Sequence, residues 1–233
     1  MKDLPQIYGF NECTEAGKDI FAPSIFLNNC NLRCPYCHNP DFILSPEDKS
    51  DLSDQIWDFL EKRKNTVEGV VFSGGEPTLH EDLALLMREV REIGYTVKLD
   101  TNGLLPQIIR RCSPDYLALD IKTAPAAYTD FLKAPYKDIE ERIGQSIAIV
   151  KKMGNDAEVR ITVAPKIITR EIISRLLPLL DGVAKVFLQP VSFRYEILDK
   201  DFFTDTEKIA KEEILQYQTM IRNAVGRCEV RDE

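Results

Sequence analysis

Six short apolar runs, rich in β-branched and aromatic residues, alternate along the chain with amphipathic stretches long enough to form helices. The apolar runs cover 24–27, 69–72, 96–99, 116–120, 158–163 and 185–188. The amphipathic stretches cover 52–64, 81–93, 104–111, 139–153, 170–180 and 205–225. Strands that alternate with helices pair in parallel through right-handed crossovers, and continuous apolar strands fit a sheet that is buried on both faces. We therefore predict one α/β domain with parallel strands over residues 1–233.

The charge balance of the chain is acidic, with a formal net charge of −8. It gives no support to nucleic-acid binding, which a basic patch or stripe usually accompanies. No apolar run approaches the roughly 18 residues that a membrane-spanning helix needs, and the first residues lack the apolar core of a signal peptide. We expect a cytoplasmic protein with neither a nucleic acid nor a membrane as its partner, and a reducing compartment argues against disulfides among the six cysteines.

Three of the cysteines, Cys30, Cys34 and Cys37, lie close together with C-x3-C-x2-C spacing. Three thiolates can hold a cubane [4Fe–4S] cluster by three of its irons, whereas electron-transfer clusters usually have a fourth cysteine. An open position on a metal invites a substrate or a cofactor. A structural zinc site is the alternative interpretation, but it requires a fourth ligand, for which His38 is the nearby residue.

The other cysteines, Cys13, Cys112 and Cys228, are far apart, and no pair of them has metal-ligand spacing. We interpret them as small buried or half-buried side chains. The residues between Cys37 and Ser73 contain no cysteine, so we expect no second cluster in that segment.

Polar motifs follow the predicted strands at the point where each strand ends. In strand order they are the cysteine loop, Ser73–Pro77, Asp100–Gly103, Asp120–Lys122, Arg160 within the fifth strand, and Gln189 after the sixth. In parallel barrels, functional residues gather at the carboxyl ends of the strands. This placement indicates one functional site rather than unrelated polar residues on the surface.

The cysteine triad, with Tyr36 before its last member, resembles the signature of the radical S-adenosylmethionine superfamily. The run Ser73-Gly74-Gly75-Glu76-Pro77 is similar to the GGEP motif of that superfamily. The resemblance implies an incomplete (β/α)6 TIM-like barrel. It also implies that a [4Fe–4S] cluster on the three catalytic cysteines cleaves S-adenosylmethionine reductively to methionine and a 5′-deoxyadenosyl radical.

The same resemblance implies a set of contacts to S-adenosylmethionine. Tyr36 would lie against the adenine, with packing of its loop onto the barrel as the alternative. The stretch Ser73–Gly75 would bond the amino group of the methionine moiety, with a tight turn that binds no ligand as the alternative. Two glycines allow such close backbone approach, and Glu76 would supply charge beside the amino group.

Two cations, Lys122 and Arg160, would neutralise the carboxylate of the methionine moiety. Charges next to apolar strands are rarely buried without partners, so an internal ion pair is the alternative. Asn102 and Gln189 complete the implied contacts to the cofactor. The activating enzymes have a histidine near the position of Ser192, and this chain lacks it.

The runs Leu-Asp100-Thr101-Asn-Gly and Leu-Asp120-Ile-Lys are similar to those of the glycyl-radical activating enzymes, such as the pyruvate formate-lyase activase. That resemblance implies a monovalent cation, Na⁺ or K⁺, held by Asp100, Thr101 and Asp120 near the carboxylate of the cofactor. The alternative is that these side chains cap backbone N–H groups at the strand ends.

The resemblance to the activating enzymes also covers the runs FLNNCNLRCPYCHNP and FSGGEPTL. It implies that the substrate is a glycine in a partner glycyl-radical enzyme, with anaerobic ribonucleoside-triphosphate reductase as the first candidate and a flavodoxin or ferredoxin as reductant. Three alternatives stay open: an enzyme that acts on a small molecule, such as a 7-carboxy-7-deazaguanine synthase; a pyruvate formate-lyase-type activase; and an iron–sulfur electron carrier or sensor.

Overall fold

The computed structural model describes residues 7–11, 22–44, 53–203 and 209–231. The strands are β1 Ile7–Asn11, β2 Ser24–Leu27, β3 Gly69–Gly74, β4 Thr96–Thr101, β5 Tyr116–Ile121, β6 Ala157–Val163, β7 Lys185–Pro190 and β8 Arg227–Val230. The helices are α1 Asp41–Leu44, α2 Ser53–Arg63, α3 Leu83–Ile93, α4 Pro106–Cys112, α5 Tyr128–Leu132, α6 Ile139–Met153, α7 Arg170–Leu180 and α8 Lys211–Arg222.

The strands form an unclosed sheet in sequence order, from β1 to β8. Strand β1 pairs antiparallel with β2, and the other seven strands run parallel. In register, Ile25 lies opposite Phe72 between β2 and β3, and Ile161 lies opposite Leu188 between β6 and β7. The predicted α/β class with parallel strands, and the partial barrel implied by the resemblance, are confirmed.

The helices follow the periodicity of the sequence. Helix α3 buries Leu83, Leu86, Met87 and Val90, which share one face at helical spacing. The helix ends at Gly94, which has a φ of 113° and whose N–H bonds Val90 O and Arg91 O, the usual arrangement of a left-handed glycine C-cap.

Helix α7 begins at Arg170 because Thr169 accepts a hydrogen bond from the N–H of Ile172 through its side chain. The predicted helix over 205–225 is confirmed from Lys211 to Arg222, while residues 205–208 lie outside the described part of the chain. Within the described ranges, no helix is both long and apolar enough to cross a membrane.

The chain divides into two compact units. The first contains Met1–Asn31, Asp41–Thr101 and Gln107–Leu117, and the second contains Leu32–Pro40, Asn102–Pro106 and Ala118–Glu233. Each unit has fully buried apolar residues in its strands, such as Phe72 of β3 in the first and Leu188 of β7 in the second. The prediction of a single domain over residues 1–233 stays a prediction.

Candidate functional site

The glycine pair in the first unit brings the end of β3 against the end of β2. The backbone N–H of Gly75 donates to Leu27 O across 2.9 Å, and that of Glu76 donates to Asn29 O across 2.8 Å. A Cβ on Gly75 would lie 1.9 Å from Asn29 O, and Gly74 has a φ of +114°. Glycine is required at both positions because the chain preceding Cys30 occupies the space that a side chain would need.

The carboxylate of Glu76 is 1% exposed and serves as a local acceptor. Its Oε1 accepts hydrogen bonds from Thr101 Oγ1 across 2.6 Å, from the backbone N–H of Thr78 across 3.1 Å, and from the Thr78 hydroxyl. The acid therefore caps the 3-10 turn at Pro77–Leu79 and ties it to the end of β4. Its predicted contact with the amino group of the cofactor stays a prediction.

Asp100, at the end of β4, forms a buried ion pair. Lys98 Nζ lies 3.3 Å from Asp100 Oδ1, and the two side chains are 5% and 14% exposed. The same ammonium lies 5.8 Å from the centre of the Tyr116 ring, and Ser73 Oγ lies 3.5 Å from Asp100 Oδ2. The structure thus brings the predicted residues Ser73 and Asp100 together and adds a lysine that the sequence analysis did not select.

In the second unit, a turn holds two of the predicted cluster cysteines. The N–H of Cys37 donates to Cys34 O across 2.9 Å, and Cys34 is buried while Cys37 is half-buried. Burial raises the pKa of the Cys34 thiol to about 11, against an opposing effect of Lys122, and burial also raises the pKa of Cys37. Thiolates at these positions need a positive partner, and iron would supply that charge. Thiols are the ligands that iron–sulfur clusters take, so the chemistry of these two donors suits iron, and the cluster on Cys30, Cys34 and Cys37 stays a prediction.

The loop that carries Cys34 and Cys37 is anchored by hydrogen bonds within the second unit. The backbone bonds run from Arg33 N to Leu132 O (2.8 Å), from Leu198 N to Cys37 O (3.1 Å) and from Asp199 N to Pro35 O (3.0 Å). His38 Nε2 donates to Ser192 O across 2.7 Å. His38 therefore connects the cysteine loop to the segment after β7.

Asp120 holds the two predicted cations in one ion-pair cluster. Arg160 Nε lies 2.7 Å from Asp120 Oδ1, and Lys122 Nζ lies 3.1 Å from Asp120 Oδ2. Burial opposes ionisation of the acid, but the two cations outweigh it and lower the pKa of Asp120 to about 2. Burial also disfavours the ammonium of Lys122, yet Asp120 and then Cys34 raise its pKa. The internal ion pair is therefore present, and Asp120 contacts both cations.

Tyr36 lies between Cys34 and Cys37 in the sequence and is 4% exposed. Its hydroxyl has no hydrogen-bond partner among the described residues. Burial, with smaller contributions from Cys34, Tyr128 and Asp120, raises the pKa of Tyr36 well above its ordinary value, and Thr162 opposes the rise. The side chain is thus packed into the interior, as the loop-packing alternative describes, and its contact with adenine stays a prediction.

Two further predicted contacts lie in the second unit. Asn102 Oδ1 accepts from the N–H of Leu104 across 3.1 Å, which makes it a turn residue after β4. Gln189 lies opposite Thr162 in the register of β6 and β7. No described contact assigns either residue to a ligand, so both stay predictions.

Three residues near these groups were not selected from the sequence: Lys98, Tyr128 and Thr162. Lys98 carried a usable signal, because it is a charge inside an apolar run. Tyr128 accepts a hydrogen bond from the N–H of Lys122 across 3.1 Å through its hydroxyl, a contact that no local pattern indicates. Of the three cysteines predicted to be small buried or half-buried side chains, Cys112 and Cys228 are buried, and Cys13 lies outside the described residues.

Comparison of the sequence with known proteins gives three findings. A family model described as the Radical SAM superfamily matches residues 24–176. A protein of Methanocaldococcus jannaschii named as a glycyl-radical enzyme activating enzyme is 37% identical over 158 residues, which cover 63% of this chain and 63% of that protein. A 7-carboxy-7-deazaguanine synthase of Thermococcus kodakarensis is 30% identical over 187 residues, which cover 69% of this chain and 70% of that protein.

Among solved structures, TYW1 with a bound lysine-pyruvate adduct is similar to this chain with a TM-score of 0.65. The match covers 88% of this chain and 74% of that one at 17% sequence identity. At this identity the likeness concerns the fold alone, and it agrees with the unclosed parallel sheet described above.

Proposed function

Because this chain belongs to the radical S-adenosylmethionine superfamily, whose model matches residues 24–176, we propose that it generates a glycyl radical on a partner enzyme. The observation that carries the proposal is the 37% identity to the M. jannaschii activating enzyme. The chain spans 63% of the length of that relative. Membership of the superfamily implies a [4Fe–4S] cluster and S-adenosylmethionine as cofactors.

The cluster ligands in this proposal are Cys30, Cys34 and Cys37. The C-x3-C-x2-C spacing and the buried thiols of Cys34 and Cys37 support the assignment. When bound, the reduced cluster supplies one electron to S-adenosylmethionine, which yields methionine and a 5′-deoxyadenosyl radical. A flavodoxin or a ferredoxin is the proposed source of that electron, and a reducing cytoplasm is the proposed compartment.

The proposed contacts to S-adenosylmethionine are those of the matched motifs: Tyr36, Ser73, Gly74, Gly75, Glu76, Asp100, Asn102, Lys122, Arg160 and Gln189. The ion-pair cluster of Asp120, Lys122 and Arg160 supports the assignment of a carboxylate subsite, because it gathers two cations around the two oxygens of one acid. Asp120 orients both cations through its two oxygens, so that a carboxylate of the cofactor would meet them in a fixed position.

The proposal also includes a monovalent cation held by Asp100, Thr101 and Asp120. Lys98 already pairs with Asp100, Thr101 donates to Glu76, and Asp120 pairs with two cations. An added Na⁺ or K⁺ would meet repulsion from the cations that already pair with these carboxylates, Lys98, Lys122 and Arg160. The test is binding of S-adenosylmethionine in sodium, potassium and choline salts of equal ionic strength. Tighter binding in an alkali salt that disappears in Asp100→Asn supports the ion, and equal binding in all three salts contradicts it.

The proposed substrate is a glycine of anaerobic ribonucleoside-triphosphate reductase. One Cα–H bond of that glycine breaks, and its hydrogen atom forms a C–H bond of 5′-deoxyadenosine, which leaves the unpaired electron on the glycine. The test mixes the reduced, cluster-loaded protein with S-adenosylmethionine and the reductase without oxygen. We expect a doublet EPR signal that collapses when glycine carries deuterium at Cα, with deuterium recovered in 5′-deoxyadenosine.

A second candidate function is that of a 7-carboxy-7-deazaguanine synthase. The relative from T. kodakarensis favours it, because that alignment covers 70% of the relative although the identity is only 30%. Transfer of hydrogen from a small pterin-like substrate to 5′-deoxyadenosine, without any protein radical, would replace the first proposal with this one. A doublet with pyruvate formate-lyase in place of the reductase would retain the activase and change the partner. A cluster that does not cleave S-adenosylmethionine under dithionite would favour an electron carrier or sensor.

A further inference from the structure

The three residues that precede Cys30 present consecutive carbonyl oxygens to the turn that follows β3. The first and the third of these oxygens accept from backbone N–H groups, those of Gly75 and Glu76. The middle one, Asn28 O, lies 2.9 Å from the imidazole Nε2 of His80. A carbonyl oxygen only accepts, so Nε2 carries the proton in this contact. Backbone donors are present with almost any sequence, whereas the middle contact requires the side chain of His80.

The peptide group between Asn28 and Asn29 is held at both of its polar ends. Its oxygen accepts from His80, and its N–H, which belongs to Asn29, donates to Phe42 O across 3.0 Å. Asn28 is only 6% exposed, and peptide groups in the interior keep their hydrogen bonds because losing one there is costly. Two contacts therefore fix the orientation of this group, and one of them depends on a side chain.

The backbone of Asn29 is in an unfavourable conformation. Its φ is 63°, in the left-handed region that residues other than glycine rarely adopt, although asparagine tolerates it better than most. Such a conformation persists where surrounding contacts enforce it. A change of φ at Asn29 would swing the chain that follows, which begins with Cys30. The bond from His80 thus opposes a relaxation that the local backbone energy favours.

We propose that His80 is a positioning residue for Cys30. Its Nε2–H holds the peptide group between Asn28 and Asn29, and this group maintains the left-handed turn that presents the thiol of Cys30 to iron. The inference rests on the proposed function only for the presence of the cluster, because the contact of His80 with the backbone exists in the chain without it.

The first test measures amide hydrogen exchange of Asn29 by NMR in the cluster-free chain. His80→Phe retains a planar ring and removes the donor, whereas His80→Gln carries an amide donor at a similar reach. We expect exchange at Asn29 to become about fivefold faster in His80→Phe, as for the loss of one hydrogen bond, and to return close to the wild-type rate in His80→Gln. Tyr95→Phe is the matched control, because it also removes a side-chain donor from a backbone carbonyl, Leu60 O at 2.7 Å. Exchange at Asn29 should be unchanged in that variant.

The second test uses the strain at Asn29. Glycine adopts a positive φ at little cost, so Asn29→Gly removes the relaxation that the loss of His80 permits. After anaerobic reconstitution with iron and sulfide, we expect His80→Phe to lose iron to a chelator about fivefold faster than the wild type. Tyr95→Phe should lose iron at the wild-type rate, and His80→Phe combined with Asn29→Gly should return close to it. A variant that is merely destabilised would gain nothing from glycine, which loosens the unfolded chain further.

Wild-type exchange at Asn29 in folded His80→Phe would overturn the inference. Rapid iron loss that neither His80→Gln nor Asn29→Gly reverses would overturn it as well. If His80→Phe does not fold, His80→Asn replaces it in the comparison with His80→Gln, because its amide is one methylene too short to place a donor where Nε2 lies. A wild type that binds no cluster would refute the proposed function, and the exchange rates would still decide whether His80 holds the peptide group.

Discussion

The guanidinium Nε of Arg160 donates to Oδ1 of Asp120 across 2.7 Å, although the two residues are 40 positions apart in the sequence. The second oxygen of the same carboxylate accepts from Lys122 Nζ. One acid therefore orients both cations that the motifs assign to the cofactor. Its loss would affect the stability of the fold and the binding of the cofactor by separate routes, which different measurements can distinguish.

We expect Asp120→Asn to lower the free energy of unfolding of the cluster-free chain by about 3 kcal/mol at pH 7, because it removes the carboxylate that pairs with two partly buried cations. The pKa of Asp120 is about 2 in the folded chain against an ordinary 3.8. Its contribution is therefore complete above about pH 4 and is lost as the pH falls through about 2. Urea unfolding at several pH values should show that the free energy of unfolding falls less steeply from pH 4 to pH 2 in the variant than in the wild type.

The matched control for that change is Asp58→Asn. Asp58 pairs with Lys62 on the surface, with the two side chains 62% and 71% exposed. Exposed pairs contribute little, so we expect a loss of about 0.5 kcal/mol or less. An equal loss in both variants would show that the ion-pair cluster at Asp120 contributes no more to the free energy of unfolding than an exposed ion pair does.

Lys122→Gln and Arg160→Gln should each weaken binding of S-adenosylmethionine at least about tenfold, because each removes one of the two cations proposed to pair with the carboxylate of the cofactor. Iron content should stay at the wild-type level. Calorimetry on the cluster-loaded protein measures the affinity, with Lys62→Gln as a surface control. Wild-type affinity in both variants would refute the carboxylate subsite.

Gly75→Ala should prevent correct folding around the first cysteine, since the added Cβ would lie 1.9 Å from Asn29 O. We expect a loss of about 3 kcal/mol or more in unfolding free energy, as for other overpacked sites. Gly144→Ala is the control, because a Cβ there meets nothing within 4 Å and the residue lies within α6. That change should stabilise the chain by about 0.5–1 kcal/mol. Similar melting temperatures for the two variants would contradict the close approach at Gly75.

Serine at Cys30, Cys34 or Cys37 should abolish the cluster, whereas alanine at Cys112 or Cys228 should leave iron content unchanged. Those two side chains are buried cysteines, and burial raises the pKa of both thiols, to about 11 for Cys112 and about 12 for Cys228. Iron and sulfide assays after anaerobic reconstitution provide the measurement. Iron loss in a folded Cys112→Ala or Cys228→Ala variant would refute the ligand set, and Cys13→Ala completes the series.

Lys98→Met should destabilise the cluster-free chain by about 3 kcal/mol, because it leaves the carboxylate of Asp100 without the ammonium that lies 3.3 Å away. The double variant Lys98→Met with Asp100→Asn should recover part of that loss, since it removes the unpaired charge as well. Additive losses in chemical denaturation would show that the two side chains do not depend on each other.

Local patterns predicted most of the regular elements because they depend on residues close in the chain. The apolar run at 24–27 became β2, and the amphipathic stretch at 139–153 became α6 with the same bounds. Strands β1 and β8 were not predicted. Strand β8, Arg227–Val230, contains two charged residues and no continuous apolar run. It forms because it pairs with β7, and a local sequence pattern does not predict such a pairing.

The sequence by itself determined the class of chemistry, because the cysteine triad and the glycine-containing motif that resemble the radical S-adenosylmethionine superfamily each lie within a few neighbouring residues. The tertiary structure decided which charges meet. Asp120 and Arg160 are 40 residues apart, and Glu158 and Arg231 are 73 residues apart, yet both pairs are in contact. It also left the Tyr36 hydroxyl buried and unbonded. These contacts depend on how distant segments pack and on the free-energy cost of burying polar groups. The spacing of residues along the chain gives no information about either.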